Sequence, residues 1–363
     1  MVAQYYITNP CLINKLKFDL RFYVLLYGVN PMRLYVFEEG LARFATVPYE
    51  APNPKNMNNM FMHLTNYAIN KMAENYRAND DPKGFGNCHK RSLNSIYQYL
   101  EGEGIDVEKL KDSIDDLIVK TMITGQPELW QNYRNCQPED YENQLCFQIL
   151  GFDVMIDDRM KPWLIEVNHA PSFATESNFD LSIKQKLVED TFRLLNLNNR
   201  RKNIYLNRIK NQFQRRILTG KVQKLLPEEK DQKRLDFDQL RDQQEESLLG
   251  GYRKIYPGKY PVEKEETYKR YLEAAKELHE FMAFGKKPVQ GSNLKIIKED
   301  EANKRDNKPP WRSTGVNSTA VQPRPAKLKP NAGQIKAKIN TGLITKYKGP
   351  NEEEKEKGEN EER

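Results

Sequence analysis

The chain has 363 residues, of which 38% are hydrophobic and 30% are charged, and its formal net charge is +7 at pH 7. This balance favours an acidic partner: nucleic acid, an anionic membrane or an acidic protein surface. The cysteines are scattered without close pairs, and no apolar run approaches the ~18 residues of a membrane span. A disulfide framework, a zinc knuckle and a transmembrane segment are therefore not indicated. With no signal peptide apparent, we expect a soluble intracellular protein.

The first strong element is a strand from about residue 17 to residue 26. It follows an extended start, Gln4-Tyr5-Tyr6-Ile7, that stops at Asn9-Pro10. Its side chains alternate in character, which is typical of a strand with one polar and one apolar face. The polar face carries Lys17, Asp19, Arg21 and Tyr23, and the apolar face carries Phe18, Leu20, Phe22 and Val24. The sequence therefore predicts a core strand with a charged working face.

After this strand the sequence predicts a hairpin, followed by further polar residues that could belong to the same site. The loop at residues 28–31 leads into a strand at residues 33–37. Arg43 then returns towards the same sheet. A short loop follows that contains His63, Thr65 and Asn66.

Residues 151–168 predict two short strands joined by a polar turn. If Asp153 faces Glu166, one face of the hairpin is wholly apolar and belongs to a core. The apolar pairs in that register are Phe152 with Val167, Val154 with Ile165, and Ile156 with Trp163. The other face carries Asp153, Glu166 and Asn168, whose oxygen atoms suit a Mg²⁺ ion that also holds nucleotide phosphates. The alternative is a half-exposed hairpin with ordinary polar residues outside, which its apolar neighbours disfavour.

Three regions follow from these patterns. Residues 1–198 are rich in apolar segments, and their strand pairs interleaved with helices indicate an α+β fold. Residues 199–285 begin with nine Lys or Arg and no acidic residue before residue 227, and they predict helices. Residues 286–363 offer too little apolar surface to offset the entropy of ordering, so they predict a disordered tail. The predicted helices cover about residues 92–100, 107–122, 181–195 and 262–284, with one around Ile209, Phe213 and Ile217 and one ending near residue 247, before a loop at residues 248–253.

The charged strand, the returning arginine and the oxygen-rich hairpin together supply what phosphate chemistry needs: cations for phosphoryl oxygens and a metal site. At these residues the chain resembles the tubulin tyrosine ligase-like family, whose enzymes have the ATP-grasp fold. The likeness covers residues 2 to about 198. It is carried by the motifs Lys17-Phe18-Asp19-Leu20-Arg21, His63-Leu64-Thr65-Asn66-Tyr67, Gly151-Phe152-Asp153 and Trp163-Leu164-Ile165-Glu166-Val167-Asn168. Within the family the chain is most similar to the polyglutamylases. These use ATP to activate a γ-carboxylate in tubulin's glutamate-rich tail as an acyl phosphate, which the amine of free glutamate attacks.

The resemblance implies an ATP-grasp carboxy-terminal lobe that binds ATP and Mg²⁺. Matched by motif, the magnesium ligands would be Asp153, Glu166 and Asn168. Arg21 and Arg43 would face phosphates or the incoming glutamate, and His63 would line the acceptor side. The residues implied for ATP are Gln4, Tyr6, Ile7, Lys17, Asp19, Thr65 and Asn66, with Ile7 binding adenine through its backbone. Catalysis would be electrostatic, through positioned cations and without a covalent enzyme intermediate.

The basic stretch after residue 199 resembles the cationic microtubule-binding extension of the polyglutamylases, as do residues 249–257. Many exposed ion pairs of roughly 0–1 kcal/mol each would raise the rate of encounter with the acidic surface of tubulin. The alternatives are a solvated basic helix or a nucleic-acid contact, although aromatic residues are few for base stacking. The implied partners are tubulin and free glutamate, without nucleic acid or membrane. The implied location is the cytoplasm and cytoskeleton, at a cilium or basal body.

The chain begins just before the segment that matches the adenine-binding hinge. We therefore expect the amino-terminal ATP-grasp lobe and its phosphate-binding lysine to be missing. On that expectation residues 1–363 bind ATP weakly and ligate slowly or not at all, while a form extended upstream is active. Two other functions stay open: a related ligase that adds glycine or tyrosine, and a non-catalytic microtubule-binding protein with a degenerate ligase lobe.

Overall fold

The computed structural model describes residues 4–81, 83–137, 140, 143, 145–197, 199–219, 227–258 and 260–286. Within these ranges the strands are β1 (Leu12–Ile13), β2 (Leu16–Val29), β3 (Met32–Phe37), β4 (Leu41–Phe44), β5 (Lys90–Ser92), β6 (Gln148–Ile156), β7 (Pro162–Asn168) and β8 (Tyr252–Tyr256). The helices are α1 (Met60–His63), α2 (Tyr67–Asn70), α3 (Leu93–Gly102), α4 (Val107–Cys136), α5 (Asn178–Leu195), α6 (Asn199–Thr219), α7 (Pro227–Leu248) and α8 (Val262–Phe284). Apart from residue 286, the predicted tail lies outside the described residues. None of the helices in these ranges is both long and apolar enough to cross a membrane.

The strands form an antiparallel sheet with β2 at its centre. Strand β6 lies along one edge of β2, and β7 lies outside β6. Along the other edge the sheet forks, because the first half of β2 pairs with β4 and the second half pairs with β3. Strand β5 lies outside β4, and β8 lies outside β3. This mixed arrangement of helices around an antiparallel sheet agrees with the predicted α+β class.

The alternation of side chains along β2 decides what covers each face of the sheet. The apolar side chains between Phe18 and Leu26 are buried in a core with residues of α3, α4 and α8. On the opposite face, the second half of β2 from Tyr23 to Tyr27 packs against α5. The first half of that face carries Lys17, Asp19 and Arg21 instead. Helix packing therefore ends where the charged side chains begin.

Most of the predicted elements are confirmed, with different bounds. Strand β2 and helix α4 are longer than predicted, α5 begins earlier, and α8 has the predicted ends. The sequence pattern misses β5 and β8, because each is short and pairs with a strand that lies far away along the chain. The loop predicted at residues 248–253 is wrong at its end, since residues 252–256 pair with β3 as β8.

The helix predicted from the basic stretch is present as α6, but its apolar side is not buried. Ile209, Phe213 and Ile217 are between 45% and 67% exposed. The cations Lys202 and Lys210 are also exposed. Apolar and basic side chains of α6 are thus both open to solvent in the part of the chain that the structure describes.

Helix α7 is fixed to the sheet by buried ion pairs. The guanidinium of Arg33 on β3 donates hydrogen bonds to Glu245 at 2.9 Å and to Asp238 at 3.1 Å. Glu245 also accepts hydrogen bonds from the hydroxyl of Tyr35 and, at 2.5 Å, from Arg241. A buried charge that loses its partner is strongly unfavourable, so this carboxylate holds α7 in register against β3.

Replacing Glu245 with alanine removes the buried carboxylate that Arg33 and Arg241 share. We expect the free energy of unfolding to fall by about 3 kcal/mol, the lower end of the usual cost of removing one partner from a buried ion pair, because Arg33 keeps its hydrogen bond to Asp238. Urea denaturation followed by circular dichroism measures this loss. The control is Glu246→Ala at the exposed neighbouring position, which should stay within ~0.5 kcal/mol of wild type. Equal midpoints for the two variants would contradict the role given to Glu245.

Candidate functional site

A row of charged side chains crosses the first half of β2. Directly paired residues of an antiparallel sheet share a face. Lys90 pairs with Arg43, Arg43 with Asp19, Arg21 with Asp153, and Asp153 with Glu166. We call this set the charged row: Lys90, Arg43, Lys17, Asp19, Arg21, Asp153, Glu166 and Asn168. Its cations dominate at the β5 end and its carboxylates at the β7 end.

The centre of the charged row is a closed set of ion pairs. Arg21 binds Asp153 through two hydrogen bonds, of which the one from Nη2 measures 2.8 Å. Arg43 bridges two strands, since Nε donates to Asp19 at 2.7 Å and Nη2 lies 2.8 Å from Asp153. The hydroxyl of Thr65 donates to the other oxygen of Asp19. These side chains therefore fix one another before any ligand binds.

Gly151 makes room for this arrangement. A β-carbon built at that position would lie 3.2 Å from Nη1 of Arg21 and 3.0 Å from the Cβ of Pro171. Arg21 passes over the backbone of β6 at this point on its way to Asp153. Close packing of Arg21 and Pro171 therefore explains why this position of the Gly151-Phe152-Asp153 motif is a glycine.

The electrostatics of Asp153 follow from its surroundings. Burial alone would raise the pKa of its carboxyl group, since burial penalises the charged form. The hydrogen bonds and charges of Arg21 and Arg43 outweigh that effect and hold the pKa of Asp153 below its ordinary value. In turn, the paired carboxylates raise the pKa of Arg43 despite its own burial. Asp153 and Arg43 are therefore both ionised near neutral pH.

Lys17 lies at the start of β2 beside a tyrosine and a histidine. Its Nζ donates to the backbone oxygen of His63 at 2.9 Å and to the hydroxyl of Tyr6 at 3.3 Å. The ring of His63 has partners at both nitrogens, with Tyr6 2.8 Å from Nδ1 and the backbone oxygen of Asn56 3.0 Å from Nε2. Because a backbone oxygen only accepts, Nε2 carries a proton and donates it to the backbone oxygen of Asn56. Burial lowers the pKa of Lys17, which the charge of Asp19 partly offsets.

The candidate metal ligands share one face of the β6–β7 hairpin. Asp153 pairs with Glu166, as the sequence predicts, and Gly151 pairs with Asn168. The side-chain amide of Asn168 donates to Glu166 at 3.0 Å. Glu166 is exposed, whereas Asp153 is buried. Where the structure describes the chain, no three His, Cys, Asp or Glu side chains group as a metal site. The set here consists of two carboxylates and one amide.

The predicted pair of Phe152 with Val167 is also confirmed, but the predicted hairpin register beyond Asp153 is wrong. A bulge after the Asp153–Glu166 pair shifts the strands, so that Val154 pairs with Leu164 and Ile156 with Pro162. The predicted apolar face is therefore buried on one strand only. Side chains of β6 lie in the core, but those of Trp163, Leu164, Ile165 and Val167 on β7 are 37% to 38% exposed.

The remaining predicted site residues lie in irregular segments next to the row. Gln4 is exposed and Ile7 is half-buried, in the stretch before β1. Tyr6 of the same stretch joins it to the charged row, because its hydroxyl accepts a hydrogen bond from Lys17. Asn66 is exposed at the residue before α2, where its backbone oxygen accepts from the amides of Ile69 and Asn70.

The structure adds charged residues that the sequence reasoning missed. Lys90 extends the row onto β5, and its Nζ donates to both carboxylate oxygens of Asp180, at 3.0 and 2.8 Å. Lys184, one turn along α5, approaches the same carboxylate at 3.5 Å. The four-residue spacing of Asp180 and Lys184 could have predicted that both lie on one face of a helix. Strand β5 has only three residues, too few to show the alternation that would have predicted the position of Lys90.

The charged row lies wholly within a stretch that matches a known family. Residues 1–204 match the tubulin-tyrosine ligase family. The chain belongs to this family. The resemblance seen in the motifs is thereby confirmed.

Curated relatives of this family member cover more than two thirds of the chain. A probable beta-tubulin polyglutamylase of Tetrahymena thermophila is 43% identical over 279 residues, which are 77% of this chain and 23% of that protein. Tubulin polyglutamylase TTLL13 of Mus musculus is 42% identical over 264 residues, 71% of this chain and 32% of that protein. Tubulin polyglutamylase ttll6 of Danio rerio is 37% identical over 286 residues, 79% of this chain and 36% of that protein. The chain therefore spans between 23% and 36% of the length of these relatives.

The lowered pKa of Asp153 gives a pH-dependent stability for this tubulin-tyrosine ligase family member. Its ionised form is stabilised in the folded protein relative to the unfolded chain, where the pKa is near 3.8. That stability is fully present above the unfolded pKa and is lost as the pH falls through the lower, folded pKa. Asp153→Asn does not ionise, so its deficit in free energy of unfolding should be constant near neutral pH and shrink below about pH 4. Urea denaturation at pH 7, 5 and 3 measures the deficit, and a constant value throughout would contradict the charge-pair account.

Proposed function

We propose that this chain carries the catalytic surface of a tubulin polyglutamylase, which uses ATP to join free glutamate to glutamate side chains of tubulin. The observation that carries the proposal is the charged row, in which arginines and carboxylates are held in place within one half of a sheet face. Family membership and relatives that are named as tubulin polyglutamylases support it. In this proposal residues 1–198 are the carboxy-terminal lobe of an ATP-grasp fold.

The donor chemistry at the β7 end of the charged row fits a magnesium ion. Asp153, Glu166 and Asn168 offer only oxygen ligands, and hard cations that also bind phosphates prefer such ligands. The carboxylate of Glu166 is exposed and bonds to the amide of Asn168, so it can take a cation without loss of a buried ion pair. A magnesium ion held there would neutralise charge on the transferred phosphoryl group.

The cations of the row are placed to act on developing negative charge. Arg21 and Arg43 have fixed positions because Asp19 and Asp153 hold their guanidinium groups. Preorganised donors of this kind stabilise a transition state without reorganising at the moment of reaction. Lys17 extends the positive charge towards the segment from Gln4 to Ile7, which we propose as the adenine side of the site.

The proposed reaction has two transfers. The γ-carboxylate of a tubulin glutamate takes the terminal phosphoryl group of ATP, and ADP leaves. The amine of free glutamate then attacks the acyl carbon, phosphate leaves, and the amine proton passes to solvent. Arg21 and Arg43 would bind the oxygens that gain charge in both transfers, and His63 would line the acceptor side. The enzyme forms no covalent bond with either substrate.

The segment at residues 199–285 is proposed to bring this surface to microtubules. Helix α6 presents exposed cations beside an exposed apolar stripe, which suits an acidic protein surface with apolar contacts. A cytoskeletal location follows from that partner, and a cilium or basal body is the proposed site of action. The described residues also anchor this segment to the catalytic surface, since α7 is ion-paired to β3 and β8 belongs to the same sheet.

Glu166→Gln tests the metal assignment in the full-length protein. The amide keeps the shape but loses the charge, and loss of a direct ligand should exceed the roughly 10–100-fold effects of outer-shell partners on metal sites. We expect incorporation of labelled glutamate into microtubules, with ATP and Mg²⁺, to fall by at least about 100-fold. The control is Glu101→Gln on the exposed face of α3, which should keep wild-type activity. Labelling that survives in Glu166→Gln would overturn the assignment.

The role of α6 is tested by charge removal at matched sites. The triple variant Lys202→Gln, Lys210→Gln, Arg216→Gln removes three exposed cations from α6. The control triple Lys109→Gln, Arg134→Gln, Lys186→Gln removes three exposed cations from α4 and α5, outside the proposed microtubule-binding segment. We expect the α6 triple to weaken co-sedimentation with microtubules by about tenfold or more and to reduce its salt dependence, since each contact is worth roughly 0–1 kcal/mol. Equal weakening in both triples would mean that net charge alone drives binding.

A further inference from the structure

The β5 end of the charged row contains a buried cluster of charged residues that has no role in the proposed reaction. Lys90 on β5 and Lys184 on α5 share a single carboxylate, that of Asp180. The two lysine side chains are 10% and 9% exposed and the aspartate side chain is 2% exposed. Lys184 also donates to the backbone oxygen of Ala174. The ring of Tyr67 lies 4.0 Å from the Nζ of Lys90.

The charges of this cluster do not balance. Two ammonium groups face one buried carboxylate, which leaves an excess of one positive charge in a place of low exposure. Glu176 is the other acid nearby, and its charge raises the pKa of Lys184. Its side chain is 48% exposed and pairs with Tyr67 and Lys71, so solvent weakens this effect. Burial lowers the pKa of Lys184, an effect that Asp180 partly offsets and the charge of Lys90 reinforces. Such an excess is unfavourable unless an anion completes it.

The position of the cluster indicates where that anion would come from. Lys90 pairs across the strands with Arg43, so the cluster continues the charged row beyond its arginines. The proposed metal and phosphate site lies at the other end, on β6 and β7. A substrate that reacts beside Arg21 and Arg43 and extends away from the phosphates would place an anionic group next to Lys90 and Lys184.

We infer that Lys90 and Lys184, positioned by Asp180, form a subsite that binds a carboxylate of the substrates being ligated. This inference rests on the proposed function, in which both substrates are glutamates and each carries a carboxylate that does not react. The carboxylate comes either from free glutamate or from the tubulin tail. Each lysine side chain keeps a small exposed fraction, through which a carboxylate would approach while the hydrogen bonds from Lys90 to Asp180 stay in place.

The simplest alternative is that the cluster only fixes α5 to β5. Lys184→Gln separates the two roles, because it removes the excess charge and leaves both hydrogen bonds from Lys90 to Asp180 intact. A purely structural role predicts no change in substrate affinity. The matched control is Lys186→Gln, which makes the same charge change at an exposed position of the same helix. Lys184→Arg keeps the charge and should restore most of the affinity.

The test measures binding and turnover in the full-length protein with three probes: free glutamate, a glutamate-rich tubulin tail peptide, and ATP with Mg²⁺. We expect Lys184→Gln to raise the KM and the calorimetric Kd of one carboxylate probe by about tenfold or more, the usual range for a lost charge-assisted contact. A change in the glutamate arm assigns the subsite to the donor, and a change in the peptide arm assigns it to the acceptor. The values for ATP, the unfolding midpoint and the Lys186→Gln control should stay at wild-type levels.

Three results would overturn the inference. An active wild-type enzyme with unchanged constants in Lys184→Gln would reject the subsite and leave the proposed function standing. A change confined to ATP would show that the cluster serves phosphates. Conversely, weakened carboxylate binding in a protein that shows no ligation would support the subsite and reject the proposed function. A wild-type protein that binds neither glutamate nor the peptide would reject both.

Discussion

The site depends on the mutual neutralisation of two arginines and two aspartates. Arg43 bonds to Asp19 and Asp153, and Arg21 bonds to Asp153, so side chains as well as backbone join β4, β2 and β6. These groups are largely buried, and each would be unfavourable there alone. Their pairing therefore lets a folded protein hold cations and carboxylates side by side. In the proposed function, phosphates and a metal ion would exchange these pairs for new ones with little movement, as electrostatic preorganisation requires.

Local patterns in the sequence were sufficient to predict which residues lie together in the middle of the charged row. The two-residue period of β2 separates Lys17, Asp19 and Arg21 from the core, and it follows from the geometry of any strand with one buried face. The facing of Asp153 and Glu166 was also predictable, because a one-residue slip would have put Asp153 into the core. That Asp153 and Glu166 lie on one face of the hairpin could therefore be predicted without information from distant parts of the chain.

Other features depend on contacts that such patterns do not contain. The bulge in the hairpin breaks the two-residue period beyond Asp153, so pairing extrapolated from that position fails at Ile165. Strand β5 has three residues, too few for alternation to be seen, and it contributes Lys90 only because β4 is its partner. The attachment of α7 arises from Arg33, more than 200 residues earlier in the chain. In each case tertiary pairing, rather than local preference, decides the outcome.

The location of β7 has a mechanical consequence. Strand β6, which carries Asp153, has neighbours on both sides, whereas β7, which carries Glu166 and Asn168, pairs with β6 alone within the described ranges. The outward-facing amides of β7 should consequently exchange their hydrogens faster than those of β6, as expected of a strand held from one side. Of the three proposed metal ligands, Asp153 would then lie on a rigid strand, and Glu166 and Asn168 on a more mobile one. Small displacements of β7 would change the affinity of the proposed site for a divalent ion without disturbing the arginines.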